Sequence, residues 1–201
     1  MDKYYLLCSK GEKGPSASAF APEGTKLAQD LISDLEGRNQ LPFKLNLIKL
    51  DVDKDSLIKS SDLSGIKELW KDYQINRFAW PLMSEKMKSI FENNLTGNEG
   101  IDWIEAIIVA PNEQRTYYIP RFNKKLDVLN MEKTMFVPGT DYTIKPVFSF
   151  SKISNYNAFT ESSSKNNHWK ITSAIYVSEV LKKAIQKEKL TGVSFEITAI
   201  E

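Results

Sequence analysis

The sequence predicts an α+β fold built as a single domain over residues 1–201, divisible into lobes 1–75 and 76–201. Three observations lead there. Short apolar runs bounded by turn residues recur along the chain, segments with apolar residues at helical spacing alternate with them, and one strand–helix–strand design occurs twice. Together they predict helices starting at Thr25, Asp62, Ser84 and Ser178, packed on a mixed or largely antiparallel sheet.

Tyr4 to Cys8 reads as a first strand, apolar on both faces and therefore central or covered. Ser9 to Gly24 is rich in Gly, Pro, Ser and Ala and reads as a long surface loop; its glycines lack the spacing to Lys-Ser/Thr that cradles a phosphate. Thr25 is placed to cap a helix whose stripe is Leu27, Leu31, Ile32 and Leu35, ended by Gly37. Leu45 to Leu50 is a second strand, and Asp51, Asp53 and Asp55 follow it. That alternation resembles the start of a calcium loop, but Ser56 stands where such a loop turns on Gly, Asp62 replaces the bidentate Glu and no helix precedes. A solvated turn is the preferred reading, with calcium ligation as its rival.

Asp62 is placed to cap a helix carrying Leu63, Ile66, Leu69, Trp70 and Tyr73 on one face. Ala110, Pro111 and Asn112 join Trp103–Val109 to Glu113–Phe122 as an antiparallel hairpin, with Tyr117, Ile119 and Arg121 on one face and Tyr118 and Phe122 on the other. Pro138 and Gly139 mark a turn, Ile144 to Phe150 a strand, Ser151 to Asn167 a polar loop and His168 to Ile171 a short strand.

The repeated design is clearest near the C-terminus. Ile175–Val177 stops at Ser178, whose oxygen can accept from the helix's first free N–H groups, and Glu179 sits at the positive end of the helix dipole. Val180, Leu181, Ala184 and Ile185 form the apolar face, Leu190-Thr191-Gly192 closes the helix, and Val193, Phe195 and Ile197 alternate as a half-buried strand. Earlier, Trp80 leads to Ser84 and Glu85, then Met87, Ile90 and Phe91, then Leu95-Thr96-Gly97 and an apolar exit strand. This is an internal repeat of two units, too few for a solenoid. Each unit's strands flank a helix, which predicts parallel strands with a right-handed crossover.

Tyr176, Val177, Ser178, Glu179, Leu190, Thr191, Gly192 and Phe195 resemble the C-terminal signature of a family of bacterial immunity proteins from polymorphic toxin systems. The Trp80 to Glu85 stretch and the Leu-Asp segment Leu126 to Met131 resemble that family's earlier hallmarks. The resemblance runs from about Asp62 to the C-terminus. It implies a protein that binds and neutralises a cognate toxin domain without catalysis.

Composition sets further limits. The chain is 41% hydrophobic and 11% aromatic, as folded proteins are, and 27 basic against 26 acidic residues give a net charge of +1. That balance offers no broad footprint for nucleic acid or an anionic membrane. One cysteine, Cys8, fits a reducing compartment, and no apolar run is long enough for a signal core or a membrane span, so the expected location is the cytoplasm. With one His (His168) and one Cys, no zinc set exists and no nucleophile–base pair is visible, so neither cofactor nor enzymatic activity is expected. A ligand- or calcium-binding regulatory module and a carboxylate enzyme are the rival functions. Because hot spots favour Tyr, Trp and Arg on loops and exposed faces, partner contact is expected at Tyr117, Arg121, Tyr156, Phe159 and Trp169.

Overall fold

The computed structural model describes residues 3–11, 14–53, 56–161 and 167–201. In chain order the elements are β1 (Tyr4–Ser9), β2 (Ser16–Phe20), α1 (Ala28–Asp34), β3 (Leu45–Asp53), β4 (Ser56–Ser60), β5 (Tyr73–Gln74) and β6 (Leu82–Met83). Then come α2 (Glu85–Asn94), β7 (Ile101–Ala110), β8 (Glu113–Phe122), β9 (Met135–Phe136), β10 (Thr143–Lys145), α3 (Phe150–Ile153) and β11 (Ala158–Thr160). A 3-10 turn (Asn167–Lys170), β12 (Ile175–Ser178), α4 (Glu179–Lys187) and β13 (Val193–Ile197) complete the described chain. The fold is α+β, as expected.

Seven strands form one sheet in the order β2-β3-β7-β8-β6-β5, with β4 hairpinned onto β3. A parallel bridge between Ala19 and Asn76 closes this sheet on itself, with Ala19 N–H donating to Ile75 O (2.8 Å) and Arg77 N–H to Ala19 O (3.0 Å). The result is a small barrel filled by Leu45, Leu47, Ile104, Ile108, Tyr117 and Ile119, with Leu31, Ile32 and Leu35 of α1 joining the same core. A narrow barrel interior needs small side chains opposite large ones. Ala17 and Ala19 meet that need at 0% exposure, which is why a Ser-Ala-Ser-Ala stretch is a strand and not the expected loop.

The second sheet has the order β11-β12-β1-β13, all antiparallel. Strand β1 is indeed central. Its Tyr5 and Leu7 join Met87, Phe91, Leu181 and Ile185 in a core shared by α2 and α4, while Tyr4 packs on the opposite side with Phe148, Phe159 and Tyr176.

The internal repeat reaches further than the sequence indicated. Strands β6 and β7 lie on either side of β8 and antiparallel to it, so they are parallel to each other; β12 and β13 stand in the same relation around β1. Outside them, β5 pairs with β6 as β11 pairs with β12. The order β5-β6-β8-β7 therefore maps onto β11-β12-β1-β13, and the second unit is a circular permutation whose middle strand comes from the N-terminus. Side chains agree with this mapping. Lys88 lies over the rings of Tyr118 (5.0 Å) and Trp103 (5.9 Å), and Lys182 lies over those of Tyr5 (3.5 Å) and Phe195 (5.8 Å).

Both helices carry the expected caps: Ser84 Oγ accepts from Met87 N–H and Ser178 Oγ from Leu181 N–H. Each cap is also tied to the opposite unit. Ser84 Oγ donates to Asp72 (2.7 Å), whose other oxygen accepts from Thr191 N–H (2.9 Å). Ser178 Oγ donates to Asn157 (2.6 Å), whose amide donates to Asn94 O at the end of α2 (2.7 Å). The two units thus brace each other through matching joints.

Several expectations fail for local reasons. Thr25 hydrogen-bonds back to Pro22 O and α1 starts at Ala28 without a side-chain cap. Asp62 closes a turn on Ser64 (3.0 Å), Gly65 follows at φ +79°, and no helix forms; Leu63, Ile66, Leu69 and Trp70 still pack on the barrel core while Tyr73 enters β5. Pro146 interrupts the expected strand at Ile144–Phe150, leaving β10 and an isolated Leu129–Phe148 bridge. Most of α3 and all of β11 fall in the Ser151–Asn167 stretch, whose residues 162–166 lie outside the described residues, and His168–Ile171 is largely a 3-10 turn. Val180, assigned to the buried face of α4, is mostly exposed.

Candidate partner-binding surface

The five expected contact residues do not gather on one face. Tyr117 is buried in the barrel, stacked on Trp70 with ring centroids 6.3 Å apart, and its hydroxyl donates to Lys71 O (2.8 Å). Burial pushes the Tyr117 hydroxyl well above the ordinary tyrosine range. Phe159 is wholly buried among Tyr4, Phe148 and Tyr176. Tyr156 packs at the edge of that cluster and Trp169 at the edge of the shared core, both half-buried.

Arg121, expected on an exposed face, is 8% exposed. It grips Asp102 through two parallel bonds, Nε to Oδ1 (2.8 Å) and Nη2 to Oδ2 (2.7 Å). Its Nη1 donates to Leu35 O (2.7 Å) and Arg38 O (3.0 Å), carbonyls of the turn that follows α1. Burial alone would raise the Asp102 carboxyl, but the hydrogen bonds from Arg121 and Asn123 outweigh it and hold the group below the usual carboxylate range. The alternation along β8 was read correctly; the error was to take a polar residue on the inward face for a solvent-facing one.

The rival chemistries gain nothing. Asp51 lies in β3 opposite Ile58, while the Asp53 side chain and Asp55 fall outside the described residues. Among the described residues no three His, Cys, Asp or Glu side chains gather as a metal site. Burial, with Glu196 beside it, raises the Cys8 thiol above its ordinary value, the wrong direction for a nucleophile. No helix among the described residues is long and apolar enough to cross a membrane.

The feature that sequence reading missed is an exposed apolar surface on the β9–β10 hairpin. Met131, Met135, Tyr142 and Ile144 are each more than half exposed, and Val137 is 39% exposed. Beside them opens a groove of about 590 Å³ whose apolar lining includes Leu126, Leu129, Phe136 and Pro138. Folded chains seldom leave several large apolar side chains together in water, and such patches mark interaction sites. The hairpin is two short strands whose register shifts between Thr143 and Lys145, so neither strand shows the clean alternation that would have revealed an outward face. Its root is fixed to the end of the second unit: Phe148 bridges Ile200 in parallel and Lys133 pairs with Glu201.

No curated protein matches the chain. The model of the immunity protein family (Imm11) matches residues 52–199, which takes in the barrel hairpin, both capped helices and the exposed β9–β10 surface. The chain therefore belongs to the immunity protein family Imm11.

Proposed function

We propose that this protein neutralises a cognate toxin domain of a bacterial polymorphic toxin system by binding it in the cytoplasm, without chemistry of its own. Family membership supports a toxin partner in general. The single observation that carries the mode of action is the apolar surface on β9–β10, where Met131, Met135, Tyr142 and Ile144 stand in solvent beside the groove. Large apolar and aromatic side chains ringed by polar ones are what a protein interface draws its affinity from. Tyr117, Arg121 and Phe159 stabilise the scaffold in this reading, while half-buried Tyr156 and Trp169 lie outside the main contact.

The test uses the toxin domain encoded next to this gene, carried as an inactive variant. Met135→Asp and Tyr142→Ala should each weaken binding by about 1–3 kcal/mol in titration calorimetry and leave the melting temperature within a degree or two. Full affinity in both variants would move the interface off this hairpin. Failure of the wild-type protein to bind or to protect cells would remove the toxin-neutralising role itself.

A further inference from the structure

The two units differ at one sheet edge. In the barrel unit the outer edge of β7 is covered: Glu105 N–H donates to Asn39 O (2.8 Å) and Leu41 N–H to Glu105 O (2.8 Å), followed by the parallel pairing Leu45–Ile108. Among the described residues the matching strand β13 of the second unit ends its sheet. Lys10 N–H donates to Gly192 O (2.9 Å) and Thr198 N–H to Tyr4 O (3.1 Å), so with the register Leu6–Glu196 and Cys8–Ser194 the even-numbered residues face β1. The backbone N–H and C=O groups of Val193, Phe195 and Ile197 consequently point outward. The next groups on this same edge are already taken, because Phe148 N–H donates to Ala199 O (3.1 Å) and Glu201 N–H to Phe148 O (2.8 Å). The repeat equates Phe148 on Ile200 with Leu45 on Ile108, and it equates the open Ile197 with the covered Glu105.

We propose that the open edge of β13 accepts an extended segment of the toxin as an added parallel strand, bracketing Ile197 as residues 39–41 bracket Glu105. This rests on the toxin-binding reading above and specifies where and how the toxin is held. Beside the edge, between α4 and β13, runs a groove lined by Lys10, Lys182 and Lys189 together with Leu190, Val193 and Phe195. Among the described residues no acidic side chain lines it, so the added strand carries acidic residues on the face that looks toward α4. The edge leads directly to Phe148 at the root of the apolar hairpin. Main-chain bonds of this kind give affinity while the flanking side chains give selectivity.

Amide hydrogen exchange on the free protein, and on its complex with the inactive toxin domain, tests the proposal. Ser194 and Glu196 should be protected throughout, whereas Phe195 and Ile197 should exchange freely alone and become protected in the complex. Ile197→Pro removes an outward N–H without touching the β1 ladder and should weaken binding about tenfold or more. Toxin binding that leaves Phe195 and Ile197 unprotected overturns the added strand but leaves toxin neutralisation standing. Protection of those amides in the free monomer means the chain covers its own edge, and protection that rises with protein concentration means a second copy does; either result overturns the proposal. A wild-type protein that binds no toxin overturns both readings.

Discussion

The barrel unit and the four-stranded unit place the same strands around the same capped helix, yet they reach that arrangement by different routes through the chain. In the barrel unit the middle strand β8 follows β7 directly through a tight hairpin; in the other, β1 arrives from the opposite end of the sequence. The comparison teaches that the repeat is one of packing and not of chain order. Only the strand–helix–strand portion is continuous in both, and only that portion could be seen as a repeat in the sequence.

The first way to break the comparison is to remove the strand that makes the second unit whole. Leu7 of β1 is 1% exposed and contacts the core shared by both helices. Leu7→Ala should cost about 2–5 kcal/mol, read as a lower denaturation midpoint. Because the core is shared, the loss should appear as one cooperative transition in far-ultraviolet circular dichroism and tryptophan fluorescence alike. Two separated transitions would mean that the barrel stands without its permuted partner.

A smaller effect separates the two joints. Ser84→Ala and Ser178→Ala each lose a helix cap worth about 0.5–2 kcal/mol. At Ser84 the carboxylate Oδ1 of Asp72 loses its donor while Oδ2 keeps Thr191 N–H, and at Ser178 the neutral Oδ1 of Asn157 loses its donor. Ser84→Ala should therefore be the more destabilising of the pair by thermal melting, since a charged acceptor left without its donor adds more to the loss than a neutral one. Equal losses would show that water replaces the missing hydroxyl at both joints.

What could be read from the sequence follows the same division. Caps, the return strand of each unit and the β7–β8 hairpin were legible because each depends on residues within a few positions: Ser then Glu, Leu-Thr-Gly, Pro-Asn. The barrel was not, because Ala17 and Ala19 carry weak strand preference and owe their conformation to β3 and Asn76 across the closure. The helix expected after Asp62 failed because a short apolar stripe cannot tell a helix from an irregular segment packed on a core. Tyr117 and Arg121, expected on an exposed face, are buried for a related reason. Tyr117 and Arg121 have the composition of an interface, but the inward face of β8 and the end of α1 use them to finish the fold. The exposed hairpin escaped notice because its apolar residues keep no single period.

The smallest effect concerns charge. On the strand register, Asp102 and Arg121 in the barrel unit match Ser194 and Cys8 in the other, so one unit has an ion pair where its counterpart is neutral. The other lowered carboxyls also lie in the barrel half: Glu36 through Lys170, Asp62 through Ser64 N–H and Glu113 through Arg115. A depressed carboxyl contributes stability that is complete above its unfolded value, about 3.9 for Asp, and is lost as pH falls through the folded value. Acid should therefore loosen α1 and the β7–β8 end first, because protonating Asp102 weakens the hold that also lets Arg121 cap Leu35 and Arg38. Amide exchange near pH 3 should show protection falling around α1 while β1 and β12 still resist. In Asp102→Asn the same region should be weaker at pH 7 and should lose less on acidification. Uniform loss across both units, or an unchanged acid response in Asp102→Asn, would show that the ion pair does not set this difference.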